Sequence, residues 1–460
     1  MHGARTLDIG LGMWLLARLL TKVVRHGALE VTLADGSMHR FGADGCTPVK
    51  IRLTDRATEG RIGRNPALGA GEAFMDGRLV VESGDIMDLL DLVGRNLTWD
   101  RDNELRVSLW NQQRMAAKWD ELNARSRSRR NVAHHYDLHD RLYELFLDAE
   151  RQYSCGYFRP GNDGDGSDLD LAQRDKLEHI AKKLLLGPGM RVLDIGCGWG
   201  GMARHIHKVS GAEVLGVTLS EEQLRYARER AAGLGIADRV RFELMDYRDV
   251  AGPFDRIVSV GMFEHVGRPN YAAYFDTIAR LLTPDGVALI HTIGRMSGKG
   301  ATDPWTAKYI FPGGYTPALS EIMPHIERAF LWTTDIEIWR LHYAKTLAHW
   351  LSRCRARKAE IVALYDERFF RMWEFYLGGA LNAFRFDDHA VFQLQLARRR
   401  DALPLVRDYL HQASDTRLGW PGEAKSTPPS VSPGGKAPPA PSSTSANADI
   451  ASPGHHEGCI

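Results

Sequence analysis

The feature that most constrains the fold is a short apolar run that ends in a glycine-rich turn. Residues 192–201 read Val-Leu-Asp-Ile-Gly-Cys-Gly-Trp-Gly-Gly. Glycines at alternate positions let the backbone pass close to a ligand at φ angles that other residues resist. The residues from Met202 to Val209 predict a helix, so the turn joins a strand to a helix N-terminus. This arrangement predicts a cofactor site at the first strand of an α/β domain.

The glycine turn alone fits two classes of cofactor. Gly196, Gly198 and Gly201 satisfy the G-x-G-x-x-G pattern of dinucleotide-binding folds. Those folds also carry an acid about 20 residues later, at the end of the second strand, where it holds the ribose. Here the second predicted strand ends without an acid, at Thr218, while Asp194 lies inside the first strand. These two residues favour S-adenosylmethionine, and a nicotinamide-linked oxidoreductase remains open on the glycine pattern alone.

Composition narrows the class of protein. With 460 residues, of which 44% are hydrophobic, the chain is long enough for two domains with substantial cores. Its 59 basic and 58 acidic side chains give a net charge of +1, so no nucleic-acid partner is predicted. Five scattered cysteines with no C-x-x-C pair predict reduced thiols, a cytoplasmic location and no metal site.

The N-terminal segment is the most membrane-like part of the sequence. Residues 13–24 place leucines and valine on one helical face and Arg18, Lys22 and Arg25 on the other. The run is shorter than the roughly 18 apolar residues that a membrane span needs. Packing on its own domain and contact with anionic lipid both suit such a cationic amphipathic helix.

Strand and helix signals predict the domain organisation. An α+β domain is expected over residues 1–115, beginning with a hairpin through Asp35-Gly36, and a helical connector over 116–150. From residue 151 to 412, alternating strands and helices predict an α/β doubly wound sheet, followed by an edge pair of strands around one long helical section at 342–377. The Pro/Ser/Ala-rich tail, 413–460, is expected to be disordered because it has little to bury.

Two candidate catalytic residues follow neighbouring predicted strands. Glu264 comes after the fourth strand and His291 ends the fifth. The carboxyl ends of parallel strands line the ligand crevice of an open sheet, so these side chains are expected to converge near the reacting methyl group.

These motifs, taken in order, resemble the cyclopropane-fatty-acyl-phospholipid synthases and the related mycolic acid methyltransferases. The resemblance runs from the N-terminal hairpin to about residue 410. It rests on the following motifs: His135-Tyr136-Asp137, Tyr153-Ser154-Cys155, the Asp194 glycine turn, Gly216 to Ser220 with Gln223, Phe263-Glu264-His265, His291-Thr292-Ile293, Tyr309 to Gly313, and His342-Tyr343 with Thr346-Leu347.

The resemblance implies a fold and an activity. The fold is a class I S-adenosylmethionine methyltransferase with a Rossmann-like sheet and helical lipid-binding insertions, preceded by a lipid-docking domain. The activity is transfer of a methyl(ene) group to the cis double bond of unsaturated acyl chains in membrane phospholipids, which forms cyclopropane chains. The implied setting is a homodimer at the cytoplasmic surface of the inner membrane, with a phospholipid bilayer as partner.

The resemblance also implies roles for individual residues. The implied cofactor residues are Tyr153 and Ser154 at the methionine end, Gly196 and Gly198 beside it, Thr218 and Gln223 along the ribose, and Asp246 and Tyr247 at the adenine. A bicarbonate ion is implied as the base. Its implied ligands are the side chains of Glu264, His291 and Tyr343 and the backbone of Cys155 and Ile293.

Two further expectations concern thiols and products. The backbone of Cys155 is expected to matter more than its sulfur, and Ala380 stands where some relatives carry a cysteine, so no essential thiol is expected there. A related C-methyltransferase that gives methyl- or methylene-branched chains is the nearest alternative. A non-catalytic lipid-binding protein would require a broken catalytic set, which the sequence does not show.

Overall fold

The computed structural model describes residues 14–99 and 138–411. The first range forms an α+β unit. Its elements are α1 (14–23), β1 (Ala28–Thr32), β2 (Met38–Gly42), β3 (Val49–Leu53), α2 (Arg56–Arg64), α3 (Pro66–Met75), β4 (Leu79–Ser83) and α4 (Ile86–Asn96). The strand order is β2-β1-β3-β4, with β1 and β2 antiparallel, which confirms the predicted hairpin.

Helix α1 packs on its own unit. Leu16 and Val23 are buried in one cluster with Leu29 and Val31 of β1. The opposite face of the helix, including Arg18, is exposed. Of the two interpretations of this amphipathic segment, the structure therefore supports packing for the apolar face and leaves the cationic face to solvent.

The second range is built on a seven-stranded sheet with the order β10-β11-β9-β8-β5-β6-β7. Strands β5 to β9 are parallel to one another, and β11 pairs antiparallel with β9 and with β10 to add an antiparallel edge. The strands are β5 (Arg191–Ile195), β6 (Glu213–Thr218), β7 (Val240–Leu244), β8 (Phe254–Val260), β9 (Leu282–Arg295), β10 (Trp332–Trp339) and β11 (His389–Ala397). The predicted doubly wound α/β sheet is confirmed.

Helices cover both faces of this sheet. They are α5 (Asp140–Phe146), α6 (Leu169–Lys183), α7 (Gly201–Ser210), α8 (Glu221–Gly233), α9 (Tyr271–Leu281), α10 (Pro304–Tyr309), α11 (Leu319–Arg328), α12 (His342–Ala356), α13 (Lys358–Leu364) and α14 (Glu367–Arg385). A parallel sheet that is buried on both faces needs continuous apolar runs. Strand β5 shows this, because Val192, Leu193 and Ile195 are all buried.

The long helical section predicted at 342–377 is three helices instead of one. Helix α12 ends at Ala356, and α14 begins at Glu367 after its N-cap Asp366, whose side chain accepts a hydrogen bond from the Phe369 N–H at 2.6 Å. An aspartate at an N-cap stabilises a new helix start, which the apolar pattern alone did not reveal. Helix α14 packs against α3 and α4, so this insertion joins the two described ranges.

Three predicted segments lie outside the described residues: the 135–137 motif, most of the 116–150 connector and the 413–460 tail. Among the helices that are described, none has the length and apolar character of a membrane span. Cys155, Cys197 and Cys354 are free buried thiols, whereas Cys46 is disulfide-bonded, so the prediction of reduced thiols is wrong at that position.

Candidate active site

A cavity of about 560 Å³ opens at the carboxyl ends of β8 and β9. It extends between α12, α14 and α4. All five predicted bicarbonate ligands line it: Cys155, Glu264, His291, Ile293 and Tyr343. The expected convergence of Glu264 and His291 follows from the sheet, because β8 and β9 are parallel neighbours.

Glu264 lies on the short 3-10 helix Phe263–His265 that follows β8. Its Oε1 accepts a hydrogen bond from the Ile293 N–H at 2.6 Å. Its Oε2 is buried and has no hydrogen-bond partner among the described residues. Burial raises the pKa of this carboxyl to about 7, although the Ile293 N–H acts in the opposite direction. The group therefore changes protonation near neutral pH and has one oxygen available to a ligand.

The Ile293 N–H has a second role that was not predicted. Because it donates to Glu264, it positions the carboxyl. The direct contact of the Ile293 backbone with an ion stays a prediction.

His291 is a neutral donor. Its ring is 2% exposed and lies edge-on to Trp339 at 5.1 Å between ring centroids. The Gln393 side-chain amide donates to Nδ1 at 3.1 Å, which places the ring proton on Nε2. Burial, together with the positive charge of Lys176 nearby, holds the pKa of His291 well below its usual range. The ring can thus donate one hydrogen bond into the cavity without carrying charge.

Tyr343 offers a second donor. It lies in the first turn of α12, and its ring packs against Phe384 and Trp350 at 4.8 and 5.8 Å between centroids. Within the described ranges its hydroxyl makes no hydrogen bond to the protein. Burial raises the pKa of the phenol well above its usual value, so the hydroxyl keeps its proton.

Cys155 is fully buried beside these groups. Its thiol donates to the Gly156 carbonyl at 3.3 Å. Burial raises the pKa of the thiol, so it stays protonated and is a poor nucleophile. This agrees with the expectation that its sulfur contributes little to the chemistry.

Lys176 positions the loop that carries Tyr153 and Ser154. The sequence did not predict a role for this lysine. The Lys176 ammonium donates to Ser154 Oγ at 2.8 Å and to Gln152 Oε1 at 2.6 Å. It has no exposed surface, and burial lowers its pKa to about 8. Its spacing of four residues from both Ala172 and Ile180 places it on the buried face of α6, which is the signal that would have identified it.

The glycine turn has the properties expected of a cofactor site. Gly198 has φ +54°, and a Cβ at this position would meet no atom within 4 Å, so the turn faces open space. Gly196 has φ +77°. Below it, Asp194 is buried, its Oδ2 has no hydrogen-bond partner among the described residues, and burial raises its pKa to about 7. An unpaired buried oxygen under an exposed glycine backbone suits a ligand with hydrogen-bond donors such as S-adenosylmethionine.

The remaining predicted cofactor residues lie along the same edge of the sheet, outside the cavity. Thr218 donates to Gln223 Oε1 at 2.9 Å, so this pair is preassembled at the end of β6. After β7, Asp246 accepts from the Arg248 guanidinium at 2.6 Å, and this contact lowers the pKa of the carboxyl. Tyr247 packs edge-on against Tyr274 at 5.5 Å. Their ribose and adenine roles stay predictions.

Aromatic side chains make up much of the remaining cavity wall. Phe311, Tyr315 and Phe375 line it, whereas Trp339 and Trp350 are buried in the core. Sequence reasoning missed the following lining residues: Trp305, Tyr376 and Phe384 of the second range, and Leu90, Val93, Gly94 and Leu97 of the first. Ala380 also lines the cavity.

Comparisons with known proteins agree with this geometry. The model of the mycolic acid cyclopropane synthetase family matches residues 123–394. The cyclopropane-fatty-acyl-phospholipid synthase of Escherichia coli K12 is 37% identical over 380 residues, which cover 80% of this chain and 96% of that protein. Tuberculostearic acid methyltransferase UfaA1 of Mycobacterium tuberculosis is 35% identical and covers 83% of this chain and 90% of its own length.

Solved structures show the same fold. The cyclopropane synthase MmaA2 from Mycobacterium tuberculosis has a TM-score of 0.54 at 32% identity and covers 58% of this chain and 97% of its own. Mycolic acid cyclopropane synthase CmaA1, complexed with SAH and CTAB, has a TM-score of 0.53 at 33% identity and covers 58% and 96%. The protein is an S-adenosylmethionine-dependent methyltransferase of class I fold, and the oxidoreductase alternative is wrong. The chain therefore belongs to the mycolic acid cyclopropane synthetase family.

Proposed function

We propose that the protein transfers a methyl(ene) group from S-adenosylmethionine to the cis double bond of an unsaturated acyl chain in a membrane phospholipid and closes a cyclopropane ring. The observation that carries this proposal is the convergence of Glu264, His291 and Tyr343 on one cavity whose other walls are largely apolar and aromatic. The likeness to a phospholipid cyclopropane synthase supports the same substrate class.

The cavity suits a reaction of a weak nucleophile. An isolated alkene attacks a methyl donor only when the two are aligned and water is excluded. When bound, S-adenosylmethionine supplies the electrophilic methyl group and bicarbonate supplies a base. The methylated acyl chain then carries positive charge, which the faces of Trp305, Phe311 and Tyr376 stabilise without reacting. The Cys155 thiol keeps its proton and is therefore a poor nucleophile, so the cation does not alkylate it.

Ring closure requires that the new methyl group loses a proton. The donor set fits a small oxyanion, because His291 Nε2 and the Tyr343 hydroxyl each offer one hydrogen bond and Glu264 Oε2 offers a shared proton. Glu264 is fixed by the Ile293 N–H, so it orients an ion and need not itself take the proton. An ion held by hydrogen bonds is replaced after each turnover, whereas a carboxylate close to the cation would be alkylated.

The test is product formation on phospholipid vesicles. Purified protein, S-adenosylmethionine with a ¹³C-labelled methyl group and unsaturated phosphatidylcholine vesicles should give cyclopropane lipid, identified by NMR. Glu264→Gln should abolish ring formation while affinity for S-adenosylhomocysteine stays within about twofold of wild type. Glu327→Gln, at an exposed position, is the matched control. A wild-type enzyme that binds the cofactor and gives no cyclopropane would refute the proposal.

A second candidate is methyl or methylene branching of the same acyl chain. It is favoured by the likeness to tuberculostearic acid methyltransferase UfaA1 and to a probable fatty acid methyltransferase of Pseudomonas putida. Cyclopropane and methylene products are isomers, so mass alone does not separate them. NMR does, because ring protons and vinylic protons differ widely in chemical shift.

We also propose that the protein is a homodimer bound to the cytoplasmic face of the inner membrane. The exposed cationic face of α1, including Arg18, supports attraction to anionic lipid. Co-sedimentation with vesicles that contain or lack phosphatidylglycerol tests the membrane contact, and light scattering tests the dimer. Equal binding to both vesicles would contradict the electrostatic contact.

A further inference from the structure

A row of polar side chains crosses the sheet from the candidate active site. His291 of β9 is directly opposite Gln393 of β11, and Gln393 is directly opposite Glu337 of β10. Side chains that are directly opposite in an antiparallel pair lie on the same face of the sheet. His291 lines the cavity, and the other two residues lie outside the cavity wall. The row therefore connects His291 to groups that the mechanism above does not use.

Gln393 determines which nitrogen of His291 carries the proton. Its amide nitrogen lies 3.1 Å from His291 Nδ1. An amide NH₂ group only donates, so Nδ1 is the acceptor and the single N–H of the neutral ring is on Nε2. A carboxylate at the same place would have the opposite effect, because it only accepts and would hold the proton on Nδ1.

The surroundings keep His291 neutral. Burial is the main cause that lowers its pKa. The titratable groups that face it from α6 act in the same direction: Lys176, Lys183 and His179. Glu337 of β10 acts in the opposite direction, but it is itself paired with Lys183 and with His179 Nε2, the latter at 2.7 Å. What the ring donates or accepts therefore depends on the nitrogen that holds its one proton.

Gln393 differs from the next glutamine on the same face of β11. Gln395 is paired at both ends of its amide, because its nitrogen donates to the Lys183 carbonyl at 2.6 Å and its oxygen accepts from the Thr334 hydroxyl at 3.0 Å. Gln393 has no exposed surface, and its Oε1 has no hydrogen-bond partner among the described residues. An unpaired buried oxygen destabilises a fold, so a purely structural role does not explain this residue. Its contact with His291 does.

We propose that Gln393 is a positioning residue that fixes His291 as a hydrogen-bond donor toward the small oxyanion beside Glu264 and prevents it from acting as a base. This inference rests on the proposed function, to which the oxyanion belongs. Because the Nδ1 lone pair is occupied by Gln393 and Nε2 carries a proton, the ring cannot take the proton that the new methyl group loses. The electron pair of the broken C–H bond closes the ring, and the proton leaves with the oxyanion.

Nitrogen NMR of the full-length protein tests the assignment directly. The protein is labelled with ¹⁵N-histidine, and the His291 signals are those that disappear in His291→Gln. At neutral pH, wild type should show a protonated Nε2 and an unprotonated Nδ1. In Gln393→Glu the ionised carboxyl should accept from Nδ1, so Nδ1 should carry the proton at high pH. A protonated Nδ1 in the neutral His291 ring of wild type would overturn the proposal.

The pH dependence of ring formation separates positioning from packing. In Gln393→Glu, Nε2 keeps its proton at low pH, where the new carboxyl or the ring is protonated, and loses it at high pH. At one fixed bicarbonate concentration, ring formation relative to wild type should fall at least about fivefold from about pH 6.5 to about pH 9. Gln395→Glu places a carboxyl on the same face of the same strand, and its ratio to wild type should change less than about twofold. Equal pH dependence of the two variants would contradict the role of Gln393.

Gln393→Met removes the donor without adding a charge. The bicarbonate concentration for half-maximal ring formation should rise about threefold to tenfold, which corresponds to the loss of one neutral hydrogen bond. Affinity for S-adenosylhomocysteine should stay within about twofold of wild type, because the change is not in the cofactor site. An unchanged bicarbonate requirement with normal cofactor binding would refute the positioning role. Wild type that gives no cyclopropane would refute the proposed function instead, whereas the NMR result on His291 needs no product.

Discussion

The buried Glu264 carboxyl should make the folded protein less stable as the pH rises. Burial raises its pKa from 4.5 to about 7. Between these values the folded chain keeps a proton that the unfolded chain has released, so the free energy of unfolding falls from pH 4.5 through pH 7. The shift of about 2.5 pKa units corresponds to about 3 kcal/mol when the group is fully ionised.

Glu264→Gln isolates this contribution. The glutamine side chain cannot ionise, and it retains an oxygen for the Ile293 N–H. Linkage puts the ionisation cost in wild type at about 1 kcal/mol at pH 5.5 and about 3 kcal/mol at pH 8.5. The variant should therefore gain about 2 kcal/mol relative to wild type between these two pH values. Asp194, whose pKa is also about 7, titrates in both proteins and cancels from the comparison.

Urea unfolding at both pH values measures the difference. The buffers should be free of CO₂, because bound bicarbonate would couple to the protonation of Glu264. Glu327→Gln, at an exposed site, should follow wild type at both pH values. If the stability difference between Glu264→Gln and wild type is the same at pH 5.5 and 8.5 within about 0.5 kcal/mol, burial is not what perturbs this carboxyl.

Three further predictions follow from single contacts. Tyr343→Phe removes a hydroxyl with no protein partner among the described residues, so unfolding should change by less than about 1 kcal/mol while ring formation, measured by NMR, falls at least tenfold. Lys176→Met removes two buried hydrogen bonds below the cofactor loop and should weaken S-adenosylhomocysteine binding in calorimetry at least tenfold, or about 1.4 kcal/mol. Gly71→Ala would place a Cβ 2.5 Å from the Trp305 ring and should cost about 1–3 kcal/mol in urea unfolding, whereas Gly379→Ala, with no atom within 4 Å, should be neutral or stabilising by up to about 1 kcal/mol. Equal effects of the two glycine variants would contradict the packing argument.

The local sequence pattern was sufficient to predict the sheet and part of the candidate site. Strand β5 is apolar at Val192, Leu193 and Ile195, with Asp194 as the exception, because both faces of a parallel sheet are covered. Ser220 caps α8 by accepting from the Gln223 N–H. Glu264 and His291 were predicted to meet because one follows a parallel strand and the other was expected to end the next. In the structure His291 lies inside β9, where it is paired with Val260 near the end of β8.

Contacts between distant parts of the sequence were not predictable in this way. Leu90 of α4 and Tyr376 of α14 line one cavity, although nothing in either segment indicates the other. Lys176 and Asn382 are polar residues on buried helix faces, where a pattern of apolar positions marks them only as exceptions. Their partners are set by tertiary packing, which hydrophobic periodicity does not encode.

Buried polar groups without a protein partner identify the functional site. Glu264 and Asn382 line one cavity, and Glu264 Oε2 and both polar atoms of the Asn382 amide are buried without a hydrogen-bond partner among the described residues. A sequence optimised for stability alone would pair or replace such groups, since each buried one costs about 1–3 kcal/mol. Their retention in a cavity with aromatic walls indicates that a ligand completes the hydrogen bonding, and beside Glu264 that ligand would be the small oxyanion proposed above.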